Sequence, residues 1–68
     1  MLLMRIFNKI NEHRERLKLT QQQLADALNV SRQTIIALEK GNYEPSLGLA
    51  MKLARYFDVD VEKLFMLK

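Results

Sequence analysis

Between Thr20 and Lys40 the chain reads TQQQLADALNVSRQTIIALEK, and this stretch limits the possible folds more than any other. Leu24, Ala25 and Leu28 recur at helical spacing, with Gln21, Gln22 and Asp26 on the opposite side. Thr20 with Gln23 makes a capping box at the start of that helix. Asn29, which tolerates a left-handed backbone, ends it. Val30 then plugs the core under a turn, and Ser31 caps a second helix over roughly Arg32 to Lys40. There Ile35 and Leu38 point inward with Thr34 at their margin, and Gly41 closes the helix. The spacing therefore predicts two short helices joined by a three-residue turn. The outer arc of the second helix holds Gln33, Ile36, Ala37 and Lys40, flanked by Arg32.

The remaining segments complete an all-α bundle. A first helix is predicted from about Lys9 to Leu17, with Asn8 as N-cap and Ile10, His13, Arg14 and Leu17 on one face. An inward Arg14 needs an acid. Ser46 caps a fourth helix from Leu47 to about Phe57, whose inward face is Leu47, Ala50, Leu53, Ala54 and Phe57. Gly48 in its first turn costs up to about 1 kcal/mol against alanine. Asp60 caps a short fifth helix from Val61 to about Phe65. Arg5-Ile6-Phe7 and Phe65-Met66-Leu67 fit two antiparallel strands that join the chain ends. An isolated ribbon of this kind is marginal, so it belongs in an interface.

Size and charge narrow the function. Sixty-eight residues form one domain near the lower limit for a chain without disulfides or metal, and there is no cysteine to supply either. Oligomerisation is the remaining source of stability. The net charge of +3 lies wholly in residues 1–40, since residues 41–68 carry four basic and four acidic side chains. The excess thus accompanies the second helix of the pair and suits a polyanion. The apolar run Met1 to Met4 ends at Arg5, too short for a signal peptide, and no run approaches a membrane span. An intracellular, soluble protein is expected. One histidine without cysteine gives no zinc centre, so no metal and no cofactor are expected. There is no phosphate-binding glycine loop, and Ser, His and acidic residues fall on separate faces, which speaks against an enzyme.

Two helices with this turn have the geometry of a helix-turn-helix, which sets its second helix in the DNA major groove. Arg32 and Gln33 have side chains that hydrogen-bond guanine and adenine edges there. Ile36 fits contact with a thymine methyl, or is an ordinary exposed apolar residue. Asn42 and Tyr43 either touch phosphates or only shape their loop. Lys40 is a phosphate ligand or a partner of the helix dipole. His13 reads as a core or boundary residue.

With these residues in view, the chain resembles the Cro/CI-type helix-turn-helix family, also called the xenobiotic-response-element family. The resemblance rests on Thr20-Gln21, Leu24-Ala25, Val30 to Ile35, Leu38-Glu39, Gly41, Tyr43, Pro45 to Leu47, Leu49-Ala50 and Leu64-Phe65. It covers about residues 8 to 65. It implies a five-helix, lambda-repressor-like bundle and a cytoplasmic, nucleoid-associated repressor, mostly of bacteria and phages, that binds double-stranded operator DNA as a homodimer. Carried over residue by residue, Arg32, Gln33, Ile36 and Ala37 match base-reading positions. Gln21, Ser31, Thr34, Asn42 and Tyr43 match positions that touch the DNA backbone, Gln21 also bracing the first recognition residue. Arg14 and Glu39 match a structural ion pair. His13 departs from the family, where aliphatic residues are usual. One compact branch joins two subunits through terminal strands, and Ile6, Phe7, Leu64, Phe65 and Leu67 are the corresponding interface residues here. Residues 1–4 stand outside the pattern, with Met4 as an alternative start. The competing class is an antitoxin or adaptor, for which the apolar residues of 56–67 would form a docking surface for another protein.

Overall fold

Helix pairing around one apolar centre organises the computed structural model, which describes residues 5–68. In chain order the elements are β1 (Ile6–Asn8), α1 (Ile10–Arg16), α2 (Gln21–Leu28), α3 (Arg32–Lys40), α4 (Leu47–Phe57), α5 (Val61–Leu64) and β2 (Phe65–Leu67). The reading of residues 1–4 lies outside the described residues.

The centre is built from Ile10, Leu24, Ala25, Leu28, Ile35, Leu38, Leu49, Leu53, Ala54 and Leu64, with Val30 and Phe57 packed against it. All five apolar residues predicted to face inward on α2 and α3 are there. The α2 to α3 connection follows its local chemistry. Gln23 donates its N–H to Thr20 Oγ1 at 3.0 Å, and Thr20 donates its own to Gln23 Oε1 at 2.8 Å, completing the capping box. Asn29 takes the left-handed conformation at φ 57° and ends α2, so the chain turns within Asn29, Val30 and Ser31.

At the chain ends, β1 and β2 pair antiparallel with Ile6 opposite Leu67, Phe7 opposite Met66 and Asn8 opposite Phe65. Reciprocal bonds between Arg5 and Lys68, both at 3.0 Å, extend the ladder by one residue pair. The fifth helix is shorter than predicted. Phe65 already has extended backbone, so α5 stops at Leu64.

Four other expectations are corrected. The helical period predicts Leu47 inward, but it is 74% exposed, while Leu49 is buried. Residues two apart on a helix face roughly opposite ways, and Leu47 falls on the side where Met51 is also exposed one turn along, while Leu49 falls with Leu53 on the side turned to the core. Leu17 is half-exposed at the C-cap of α1, because the helix ends at Arg16 and the chain reverses at left-handed Lys18. Lys9 occupies the N-cap of α1, although Asn8 Oδ1 still accepts the Ile10 N–H at 3.1 Å. Asp60 holds the N-cap position of α5 without a side-chain bond, and the Lys63 N–H goes instead to its main-chain carbonyl at 3.0 Å.

His13 is buried and stacks on Phe57, with ring centroids 5.4 Å apart. A flat ring there fills the space an aliphatic residue would otherwise take. Gly48 has open space where a Cβ would stand, its nearest neighbour being Ser46 Oγ at 4.0 Å. Nothing in the fold requires glycine at this point. Gly48→Ala is expected to stabilise the protein by about 0.5–1 kcal/mol and raise Tm by a few degrees. A calorimetric scan of the two proteins checks this, and an unchanged or lower Tm would contradict it.

Candidate nucleic-acid interface

The first turn of α3 stands open at the surface. Ser31 Oγ accepts the Thr34 N–H at 3.1 Å and lies 2.9 Å from Thr34 Oγ1, which holds the start of the helix firmly. Immediately after this cap, Arg32 and Gln33 are exposed. Among the described residues neither side chain is tied to another protein group. One turn further, Ile36 and Ala37 are only half-exposed. The outer arc is therefore not evenly open: its polar tip projects and its apolar part is partly covered.

The far end of α3 is also capped by its own backbone. Gly41, left-handed at φ 75°, donates to the Leu38 carbonyl and Asn42 to the Ala37 carbonyl, both at 3.0 Å. Lys40, Asn42 and Tyr43 lie exposed at this end. Tyr43 keeps nearly half of its surface exposed.

Glu39 is the polar centre of the site. Its Oε2 accepts from Arg14 Nε at 2.7 Å, and its Oε1 accepts from Arg14 Nη2 at 3.2 Å. Arg14 Nη1 donates to the Leu19 carbonyl at 2.7 Å. The side chains are 13% and 5% exposed, which makes this a buried, two-pronged ion pair. Glu39 raises the Arg14 guanidinium above its ordinary value through that hydrogen bond, so the charge is fixed at every accessible pH.

Two further donors converge on the same carboxylate oxygen. Gln21 Nε2 reaches it at 3.1 Å and Asn11 Nδ2 at 3.2 Å. Gln21, which the resemblance gives to a phosphate, is thus also held by Glu39, and Asn11 joins it there without any expectation from the sequence. Nothing in the linear sequence marks Asn11, because its partner lies on α3. The bond to Glu39 turns the Gln21 amide nitrogen inward and leaves Oε1 and one N–H for the surface. There Thr20, Gln21 and Gln22 at the start of α2 line a shallow cleft with Arg32 and Arg14. Arg14, assigned to structure alone, therefore also borders this cleft.

The residues assigned to a subunit seam are divided. Phe7 and Leu67 are exposed at 43% and 61%, and Ile6 and Phe65 are half-buried. Lys68 Nζ stands 5.6 Å from the centre of the Phe7 ring. Leu64 has no exposed surface and belongs to the core of its own protomer. Its side chain is unavailable to a partner, and the seam reading reduces to Ile6, Phe7, Phe65 and Leu67. No helix among the described residues is long and apolar enough to cross a membrane.

This geometry has counterparts among known proteins. The family described as Helix-turn-helix matches residues 10–64. An uncharacterized HTH-type transcriptional regulator of Methanocaldococcus jannaschii is 55% identical over 58 residues, covering 85% of this chain and 88% of that protein. The uncharacterized HTH-type transcriptional regulator YgzD of Bacillus subtilis is 43% identical over 61 residues, 90% of this chain and 92% of that one. These relatives are archaeal as well as bacterial, a wider range than bacteria and phages. A solved Bacteroides fragilis protein, by its description a candidate DNA binder, superposes with a TM-score of 0.79 at 26% identity, over 90% of this chain and 98% of that one. A match spanning five helices, a capped turn between α2 and α3, and relatives aligned over most of both lengths all agree: the chain belongs to the Cro/CI-type helix-turn-helix family.

Proposed function

We propose that this protein is a transcription regulator that binds double-stranded DNA by sequence, and that it acts as a homodimeric repressor on an inverted-repeat operator. The observation that carries this reading is the first turn of α3, where Arg32 and Gln33 are exposed and, among the described residues, unpartnered, Arg32 sharing a cleft with the Gln21 amide that Glu39 holds. Arg32 would take a guanine and Gln33 an adenine, with Ile36 and Ala37 along the groove. Gln21, Ser31, Thr34, Lys40, Asn42 and Tyr43 would set the register on phosphates. Two subunits joined through the terminal ribbon would place their α3 helices in successive major grooves about 34 Å apart. Occupancy of a promoter would then exclude polymerase.

The test is selection of tight binders from fragmented genomic DNA, run in parallel for the native protein and for Arg32→Ala with Gln33→Ala. An inverted repeat enriched by the native protein and lost by the variant supports the reading. Weak, salt-sensitive binding without enrichment overturns it.

A second reading, a module that works mainly through a protein partner, has one feature in its favour. Leu47 and Met51 are 74% and 56% exposed, one turn apart along the outside of α4. Sedimentation separates the two: a tight dimer supports the regulator, and a monomer with these residues open supports the module.

A further inference from the structure

Asn8 stands where the terminal ribbon meets the C-terminal end of α3. Its Nδ2 donates to the Leu38 carbonyl at 2.8 Å, while its Oδ1 accepts the Ile10 N–H at 3.1 Å. Leu38 lies in the last turns of α3, and its carbonyl also accepts the Gly41 N–H at 3.0 Å. Among the described residues, Asn8 makes the side-chain hydrogen bond that ties the ribbon to α3. The neighbouring main-chain link, Lys9 N–H to the Leu64 carbonyl at 2.9 Å, holds α5 instead. Asn8 is half-buried, and its side chain bonds through both its oxygen and its nitrogen.

We infer that Asn8 is a positioning residue that sets the half-site spacing of the operator. The inference rests on the reading of a DNA-binding homodimer joined through its ribbons. In such a dimer the separation and relative rotation of the two recognition helices follow from how each α3 is attached to its own ribbon. Moving the half-sites by one base pair turns one of them by about 35° and shifts it by about 3.4 Å. The dimer can follow only by bending at the joint between ribbon and α3, and the bond from Asn8 to Leu38 resists that bending.

The chemistry of asparagine allows a clean dissection. Asn8→Asp keeps an acceptor for the Ile10 N–H but turns an oxygen toward the Leu38 carbonyl oxygen, which removes that bond. The Leu38 carbonyl keeps its Gly41 partner, so it is not stranded. Asn8→Ser, which keeps a short acceptor and does not reach Leu38, serves where the aspartate disturbs the fold.

The experiment uses a duplex library with two inverted half-sites and a central spacer varied one base pair at a time. The native protein and both variants are titrated on it, with sedimentation in the same buffer. The native protein is expected to dimerise and to choose one spacing. The variants are expected to dimerise and read the same half-site while their preference for that spacing over its neighbours falls roughly threefold to tenfold, as one hydrogen bond of ordinary strength would give. Dimeric variants that retain the native preference overturn this role for Asn8 and leave the homodimer reading intact. A native protein that sediments as a monomer and shows no spacing preference overturns both.

Discussion

Replacing Glu39 with alanine is expected to cost about 3–5 kcal/mol of folding stability. The carboxylate and its Arg14 partner are 5% and 13% exposed, so solvent screens them little. Its loss would leave the guanidinium bonded only to the Leu19 carbonyl and would strand the half-buried Gln21 amide. A domain of this length holds roughly 3–10 kcal/mol in all, at about 0.05–0.15 kcal/mol per residue. The loss is therefore about a third or more of the total, and the variant should melt at a markedly lower temperature. Urea titration followed by circular dichroism measures the loss, and a value below about 1 kcal/mol would put the pair on the level of a surface contact. Arg14→Met combined with Glu39→Leu is expected to regain most of the stability, because an apolar pair carries no desolvation penalty. It would not regain the orientation of Gln21, which has lost its acceptor. A refolded double variant with weakened DNA binding would separate the two effects of Glu39.

On an operator recovered by selection, Arg32→Ala with Gln33→Ala should weaken binding by about 2–6 kcal/mol per half-site, at about 1–3 kcal/mol for each two-pronged base contact. That corresponds to a loss of about thirtyfold to more than ten-thousandfold for each half-site. Random duplex should respond far less, since it offers these side chains no matched base edges. Its binding depends on charge, and only one of the two residues is charged. The slope of log K against log salt should consequently become shallower by about 1 for each bound subunit. Anisotropy titrations on both duplexes over a range of salt give all three quantities. Equal losses on operator and random DNA would reduce Arg32 to a phosphate contact and remove Gln33 from base reading.

What was legible in the sequence is what local chemistry decides. Thr20, Ser31 and Ser46 announce helix starts through bonds to backbone within three residues, and Gly41 and Asn29 announce helix ends. The inward residues of α2 and α3 could be read because one period fits them and no other does. On α4 the small residues Ala50 and Ala54 leave the stripe's centre open to more than one reading, and only the packing of the bundle decides that its edge runs through Leu49 and not through Leu47. Leu64 was misassigned for a related reason. Burial within a protomer and burial between protomers leave the same apolar mark on a sequence. Asn11 and Asn8 act on α3 from far along the chain, and no spacing rule predicts such partners. Arg14 was different: an inward cation demands an acid, and that demand pointed beyond its own helix.

The pairing of β1 with β2 also bears on the order in which the molecule assembles. These strands come from opposite ends of the chain, whereas the capped turn between α2 and α3 closes over a few residues. Closing the longest loop loses the most chain entropy, and the ribbon gives back few bonds for it. The ribbon is thus expected to form last and open first, which hydrogen exchange at Phe7 and Met66 against Leu24 and Ile35 would measure. A growing chain completes α2 and α3 before β2 has been synthesised, and mild heating frees the ends before it loosens the centre. On this expectation the surface proposed to meet DNA is built early and kept late, while the proposed subunit seam is the most easily lost.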